Sequence, residues 1–341
     1  MANLLGRAFT RREIEQRVGC MDQLAFIRPM ALTDGRGHGV RGFQVSTGGG
    51  LEFNVLADRC LDILDFRHNG RSLCWHSGVG PVSPAYYEAE GDNFLRSFFG
   101  GMLTTGGLTN AGSACEDEGR AYPLHGRIAN TPAERVRWSA GWEGDEYVLR
   151  IAGEVRETRV FGPRLVLKRQ IRTVLGSSSV TIEDTVENEG FSEEPFLLLY
   201  HVNAGFPVLD EGSEVRIDSR VTPLGEFAAS GLDAWTRAIA PVHNIAEQCY
   251  VHDVVPDAEG MAQAELWNER IGLGFRVRYR KAELPHLWQW KMMAERDYVM
   301  GLEPVNCGPG GRAAARAANQ VGILPPRGSI THRVVLEAFE G

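Results

Sequence analysis

Two residues of this chain can exchange protons near neutral pH and stand in apolar surroundings. His201 follows the apolar run at 196–200 and precedes an Asn and a Gly/Pro turn, and a histidine there can serve as acid or base. Glu303 lies among the apolar residues of 298–306, where burial raises a carboxyl pKa toward the value that a general base needs. The alternatives are a satisfied core histidine and a structural ion pair.

A second histidine, His125, precedes Gly126 in the segment 122–127. A glycine directly after a histidine lets another backbone or a ligand approach closely. His125 is therefore a third candidate for the site, and its alternative is a loop histidine bonded to backbone.

Two polar segments could hold the hydroxyl groups of a ligand. Arg59 stands between Asp58 and Asp62 and has the geometry for bidentate hydrogen bonds, although a salt bridge on a sheet surface would give the same spacing. Asn110 belongs to the stretch 100–112, which is dense in glycine and hydroxyl side chains. That stretch suits either a pocket wall or tight packing between strands.

Aromatic and polar residues alternate in the segment 287–291. An extended chain would place Trp288 and Trp290 on one face and Gln289 on the other. Aromatic ring faces suit the C–H faces of sugars, and Gln289 and Lys291 suit their hydroxyl groups. The alternative is a pair of core tryptophans.

Metal and nucleotide sites are not expected. The acidic residues Glu116, Asp117 and Glu118 lie near His125 and could ligate a metal, but a solvated loop is the favoured interpretation. Residues 37–42 match G-x-G-x-x-G, yet a strand follows where the dinucleotide fingerprint requires a helix.

Strands are the elements that must position these residues. Apolar residues alternate with period two from about 40 to 336, and Asn69-Gly70 is a strong hairpin signal. Helical patterns are rare: a capping box of Thr10 and Glu13 predicts a helix over 11–18, and residues 312–318 form an alanine-rich candidate. We therefore predict one all-β domain with two stacked antiparallel sheets, because the alternation of strands and helices that Rossmann folds and TIM barrels need is missing.

Composition excludes several classes of partner. The chain has 341 residues, a formal net charge of −8 and 40 glycines. An acidic chain without a basic block is a poor match for nucleic acid or an anionic membrane. The six cysteines show no C-x-x-C pair, and residues 1–20 lack the apolar core of a signal peptide. We expect a soluble cytoplasmic protein with reduced thiols.

Taken together, these segments resemble the galactose mutarotase-like (aldose 1-epimerase) superfamily, and more closely its DUF4432 branch. The resemblance spans about 40 to 336. Its markers are residues 58–62, the run Gly-Met-Leu-Thr-Thr-Gly-Gly-Leu-Thr-Asn at 101–110, Leu-His-Gly at 124–126, Tyr-His-Val-Asn at 200–203, Gln-Trp-Lys-Met-Met at 289–293 and Gly-Leu-Glu-Pro-Val-Asn at 301–306.

The resemblance implies a fold and a chemistry. The fold is a large antiparallel β-supersandwich with a few short helices over residues 36–341, on which residues 1–35 pack as a helix and strand extension. The chemistry is interconversion of sugar anomers: His125 helps hold the sugar, His201 is the general acid at the ring oxygen, and Glu303 takes the proton of the anomeric hydroxyl. No metal, nucleotide or other cofactor is implied.

A further set of residues is expected to bind the sugar. Two segments differ from the pattern of classical mutarotases. Glu247 stands where those proteins have Asp, and Asn203 stands two residues after His201, where they begin a Tyr-Phe pair. The expected substrate-binding residues are Arg59, Asp62, Asn110, Arg127, Asn203, Glu247, His252, Gln289, Lys291 and Asn306.

Three hypotheses of function follow. The first is an aldose 1-epimerase. The second is an epimerase or isomerase of another sugar, keto, deoxy or acidic, with or without a metal. The third is a carbohydrate-binding protein without catalysis. A small sugar is the expected partner in each case, and sheet edges in such folds can pair, which leaves a homodimer open.

Overall fold

Two large antiparallel sheets, packed face to face, make up most of the computed structural model, which describes residues 2–4 and 6–341. Numbered along the chain, the strands are β1 (Ala2–Leu4), β2 (Arg7–Phe9), β3 (Phe26–Ala31), β4 (Arg41–Ser46), β5 (Leu51–Leu56), β6 (Asp62–His68), β7 (Arg71–Ser72), β8 (Leu103–Leu108), β9 (Cys115–Asp117), β10 (Arg120–Tyr122), β11 (Glu134–Glu143), β12 (Glu146–Thr158), β13 (Arg164–Val174), β14 (Ser179–Asn188), β15 (Glu194–Ala204), β16 (Glu214–Arg216), β17 (Ser219–Leu224), β18 (Gln248–Val254), β19 (Met261–Asn268), β20 (Leu273–Arg280), β21 (His286–Met293), β22 (Tyr298–Val305), β23 (Gly322–Leu324) and β24 (Ser329–Glu340).

Helices are short. The α-helices are α1 (Arg11–Glu15), α2 (Glu226–Ser230) and α3 (Arg312–Ala317). The 3-10 helices are Met21–Gln23, Gly35–Gly37, Pro84–Tyr86, Asn93–Arg96, Ile128–Asn130 and Leu232–Ala234. The predicted all-β class is confirmed. Within the described residues, no helix has the length and apolar character needed to cross a membrane.

The strand orders define the two layers. The larger sheet runs β17-β18-β21-β22-β15-β8-β6-β5-β4-β3, with β7 paired to β6 and β23 paired to β15. The second sheet runs β11-β12-β13-β14-β24-β20-β19-β16. Every pairing between these strands is antiparallel. β1 with β2 and β9 with β10 form separate hairpins.

The main core lies between the two sheets and contains a buried ionic bridge. The guanidinium of Arg169 on β13 lies 2.9 Å from Asp62 on β6 and 2.6 Å from Asp184 on β14, and all three side chains are fully buried. The Tyr200 hydroxyl donates to Asp184 at 2.9 Å. A buried charge is stable only when it is paired and hydrogen-bonded, so this bridge ties the two sheets together at one register.

Several local predictions are confirmed. Thr10 and Glu13 form both hydrogen bonds of a capping box at α1, Asn69-Gly70 joins β6 to β7, and α3 lies inside the predicted 312–318. The first helix ends at Glu15 rather than at residue 18. Val18 and Gly19, which follow, are poor helix formers.

The predicted N-terminal extension, residues 1–35, contributes to both core and sheet. Ile14 of α1 packs into the main core, and β3 pairs with β4 as the last strand of the larger sheet. Met1 and Leu5, which belong to the same predicted extension, lie outside the described residues. The boundary at residue 36 stays a prediction.

Candidate active site

Cross-strand register brings His201 and Glu303 together. β15 pairs with β22 so that Asn203 lies opposite Gly301 and Leu199 opposite Val305, which places His201 opposite Glu303 on the same face. His201 Nδ1 and Glu303 Oε1 are 3.2 Å apart, and the residues are only 6% and 3% exposed. Neither atom has a hydrogen-bond partner among the described residues.

Burial sets the protonation of this pair. Burial raises the pKa of the Glu303 carboxyl well above its ordinary value, and the nearby Glu247 raises it further. Burial lowers the pKa of His201 well below its ordinary value, and His125 adds to this effect, against a hydrogen bond with Asn203. Both directions favour the neutral forms. A proton shared by the pair is therefore favoured on the carboxyl rather than on the imidazole.

His125 reaches the same place from a loop. Its Nδ1 accepts a hydrogen bond from the backbone N–H of Gly112 at 3.3 Å, and its ring centroid is 5.3 Å from that of His201. Burial lowers the pKa of His125 to about 4, so the ring is neutral and its proton is on Nε2. A Cβ on Gly126 would lie 2.2 Å from the carbonyl oxygen of Gly107, which confirms the close backbone approach predicted there.

These three groups line one cavity on the face of the larger sheet that points away from the second sheet. On β15 the neighbouring residue, Tyr200, points the other way into the core between the sheets. The cavity measures about 260 Å³, at the small end of ligand pockets. Its walls are Phe94, Leu95, Phe98, Gly112, Ser113, Leu124, His125, His201, Leu224, Glu247, Cys249, Tyr250, Trp288, Gln289, Trp290, Glu303, Pro309 and Gly310.

Both predicted tryptophans lie on this face. Trp290 Nε1 donates to Glu247 Oε2 at 2.6 Å, and the Trp290 ring stands edge-on to the His201 ring at 5.5 Å between centroids. Trp288 pairs across the strands with Glu303. Glu247, expected to bind substrate, is thereby held at the cavity wall with its Oε1 free of any side-chain hydrogen bond described in the structure.

The structure does not point the side chains of His252, Gln289 and Lys291 into the cavity, where the sequence predicts that they bind the sugar. Strand alternation turns their side chains to the opposite face from Trp288 and Trp290. The Gln289 amide, although Gln289 borders the cavity, bonds His252 at 3.0 Å and the Trp235 carbonyl at 3.0 Å. Lys291 Nζ donates to the Ala234 carbonyl at 2.7 Å. These three side chains hold the segment around 234–235 against the sheet.

Arg59 and Asp62 also lie outside the cavity lining. Arg59 is fully buried and donates to the carbonyl oxygens of Ala129, Val82 and Ser97 at 2.7, 2.7 and 3.0 Å. It is thus neither a sugar ligand at this cavity nor a salt bridge on the sheet surface. Asp62 belongs to the ionic bridge between the sheets and accepts from Thr105.

The remaining predicted binding residues hold backbone. The amide of Asn110 bonds the Pro123 carbonyl at 2.7 Å, that of Asn203 bonds the His201 carbonyl at 2.9 Å, and Asn306 accepts from the Leu198 N–H at 2.7 Å. Arg127 contacts the Ala89 carbonyl at 3.5 Å. None of these four residues lines the cavity.

Two of the three acidic residues in the segment 116–118, Asp117 and Glu118, form ion pairs. Asp117 pairs with Arg312 at 2.8 Å and with Arg316 at 2.9 Å, and Glu118 pairs with Arg316. The hairpin of β9 and β10 is thereby attached to α3. Of the described residues, no group of three or more His, Cys, Asp or Glu side chains has an arrangement that would hold a metal ion.

Sequence reasoning missed Gly301 as part of the site. A Cβ at this position would lie 2.3 Å from Glu303 Oε1 and 3.0 Å from Trp290 Cβ. Its φ is not in the left-handed region, so the strand itself does not demand a glycine. The available signal was a glycine inside a strand, which often marks a close approach, two residues before the candidate base.

Comparison with solved structures identifies the class of fold. A protein of Klebsiella pneumoniae, assigned provisionally as an aldose 1-epimerase, matches with a TM-score of 0.89 and 25% identity, over 94% of this chain and 86% of that one. A galactose mutarotase-like protein of Clostridium acetobutylicum matches with a TM-score of 0.64 and 12% identity, over 94% and 100%. A galactose 1-epimerase of Lactobacillus acidophilus matches with a TM-score of 0.59 and 12% identity, over 93% and 99%. The chain has the galactose mutarotase-like fold.

The family follows from the sequence itself. The model of DUF4432, a domain of unknown function, matches residues 37–338, and the chain belongs to this family. A comparison with curated proteins finds no significant match.

Proposed function

We propose that this protein interconverts the anomers of an aldose by opening and reclosing its ring. The observation that carries the proposal is the buried pair of His201 and Glu303, whose facing atoms are 3.2 Å apart and have no other partner. The names of the solved structures above support a sugar epimerase. A pair that holds one proton is what this chemistry needs, because one proton leaves the sugar as another arrives.

The proton balance closes over a full cycle. In the reactive form the proton of the pair is on His201, and Glu303 is a carboxylate. Glu303 takes the proton of the hydroxyl on C1, the bond between C1 and the ring oxygen breaks, and His201 gives its proton to that oxygen. The product is the open aldehyde, and the pair still holds one proton.

Reclosure uses the same groups in reverse. After rotation about the C1–C2 bond, the hydroxyl that was the ring oxygen attacks the other face of the carbonyl and returns its proton to His201. Glu303 returns its proton to the oxygen on C1. The pair ends as it began, so no external acid, base or oxidant is consumed.

His125 has a holding role in this scheme. Its Nδ1 is occupied by the Gly112 N–H, which leaves the Nε2 proton to donate to a sugar oxygen. Because burial lowers its pKa to about 4, His125 acts in this scheme as a neutral hydrogen-bond donor and not as a second acid.

The test is anomer exchange measured by NMR on a panel of aldoses, with wild type, Glu303→Gln and Tyr86→Phe side by side. Glu303→Gln removes the base but keeps the side chain's size, and Tyr86 is exposed and serves as the matched control. Acceleration in wild type and the control, lost in Glu303→Gln, supports the proposal. Sugar binding that persists in Glu303→Gln, with no acceleration in wild type, would instead identify a binding protein.

A further inference from the structure

The described part of the cavity wall carries acidic side chains and no lysine or arginine to compensate an added negative charge. Among the described residues that line it, Glu247 and Glu303 are acidic and none is lysine or arginine. Burial lowers the pKa of His125 and of His201, which favours the neutral rings; in the reactive form the charge on His201 is matched by that on Glu303. An acidic substituent on a ligand would lose its water here and gain no opposite charge, which is strongly unfavourable.

Two buried basic side chains close in sequence to wall residues are already committed. Lys291 points to the other face of the sheet and binds the Ala234 carbonyl. Arg312, two residues after the wall residue Gly310, pairs with Asp117 and also donates to the Thr109 carbonyl. Moving either one toward the cavity would leave a buried partner unsatisfied.

Few groups on the wall are free to bind hydroxyls. The Gln289 amide is held by His252 and Trp235, and the Tyr250 hydroxyl donates to the Gly231 carbonyl at 3.3 Å. Apart from the acid–base groups, the wall keeps three polar groups for a ligand: one carboxylate oxygen of Glu247, the Ser113 hydroxyl, and the buried Trp288 Nε1–H, which has no partner among the described residues. Most of the remaining wall is apolar: Phe94, Leu95, Phe98, Leu124, Leu224, Trp288, Trp290 and Pro309.

We propose, resting on the function proposed above, that the substrate is a neutral deoxy aldose: a sugar with at least one hydroxyl replaced by hydrogen and with no acidic group. A hydroxyl buried against an apolar wall loses its hydrogen bonds to water without replacement. An apolar pocket rejects an added hydroxyl by at most about 100-fold. Acidic sugars are rejected more strongly, because a full charge is desolvated.

Sugars that differ only at C6 test this directly. Within one stereochemical series, C6 is a methyl group in the 6-deoxyhexose, a hydroxymethyl group in the hexose and a carboxylate in the hexuronic acid. We expect kcat/KM for anomer exchange to be roughly 10- to 100-fold higher for the 6-deoxyhexose than for the hexose, with no acceleration for the hexuronic acid. Equal or faster exchange of the hexose or the hexuronic acid in every series would overturn the inference and leave the proposed function intact.

Binding separates the two proposals if no sugar is exchanged. The same series is then titrated into Glu303→Gln and followed by ligand NMR. Tightest binding of the 6-deoxyhexose keeps the inference although the catalytic proposal has failed. Tightest binding of the hexuronic acid, or no binding of any sugar, overturns it.

A cation placed in the wall supplies the second test. Leu224 lines the cavity from the edge strand β17 and is 38% exposed, so Leu224→Lys should fold. It is expected to tighten binding of the hexuronic acid about fivefold, the effect of one partly exposed ion pair. Leu232→Lys, at a residue 36% exposed and outside the lining, is the matched control. A folded Leu224→Lys with no gain over this control would contradict the charge argument.

Discussion

Gly301→Ala should disable the catalytic pair without disturbing the strand that carries it. The new methyl group would lie 2.3 Å from Glu303 Oε1, whereas ordinary contacts begin at 3.4 Å, so the oxygen must move by about 1 Å. A displacement of about 1 Å at reacting groups costs roughly 100-fold in rate. We therefore expect kcat for anomer exchange to fall about 100-fold, with KM changed much less, because the 3.0 Å contact with Trp290 Cβ requires the cavity wall to shift by only a few tenths of an ångström.

The assay compares anomer exchange and thermal unfolding for wild type, Gly301→Ala and a control. Gly141→Ala is the control, since Gly141 lies in strand β11 with nothing within 4 Å of the added Cβ. A positioning role also predicts coupling: in a Glu303→Asp background, the shorter side chain no longer meets the methyl group, and Gly301→Ala should cost little more. Wild-type exchange in a folded Gly301→Ala protein would refute the reasoning.

Three further predictions concern pH and stability. Because burial lowers the pKa of His201, the acid limb of kcat/KM should lie below pH 6.5, and a limb above pH 6.5 would contradict the assignment. His252 is buried with a pKa of about 4, so below pH 6.5 its folded form binds fewer protons than its unfolded form. The free energy of unfolding therefore decreases as the pH is lowered, by about 2 kcal/mol at pH 5. His252→Gln should therefore show a smaller drop in urea midpoint between pH 7 and pH 5 than wild type does, and an equal drop argues against it. Arg59→Met leaves three carbonyls without a donor and should lower the free energy of unfolding in urea by at least about 3 kcal/mol. The control Arg12→Met, on the exposed face of α1, should change it by almost nothing. Equal losses in the two variants would refute the role given to Arg59.

The all-β class and the three candidate catalytic residues could be predicted because their signals are local. Period-two alternation identifies strands, and His201, Glu303 and His125 each stand beside an apolar or glycine-rich segment. The structure brings these three together in one cavity. Their catalytic roles stay predictions.

The binding set was harder to predict because each face of strand β21 is buried. On a half-buried strand, polarity tells which residues face the solvent. On β21, however, the polar side chains of Gln289 and Lys291 lie on the face opposite the cavity, where they bond His252 and backbone carbonyls. Arg59 shows a second limit, because its carbonyl partners are 23 to 70 residues away in the chain. No local pattern announces such contacts.

The guanidinium of Arg59 has a consequence for how this fold can change in sequence. Arg59 donates hydrogen bonds to the carbonyl oxygens of residues 82, 97 and 129, which lie in the loops between β7 and β11. His201 and Glu303, in contrast, lie on two strands of the larger sheet. The stretches between those fastened points include Phe94, Phe98 and Leu124 of the cavity wall. Substitutions there would alter which ligand is recognised and leave the reacting groups in register. The cavity wall and the pair of His201 and Glu303 therefore belong to separate parts of the fold, so the wall can change in sequence while the pair stays in register.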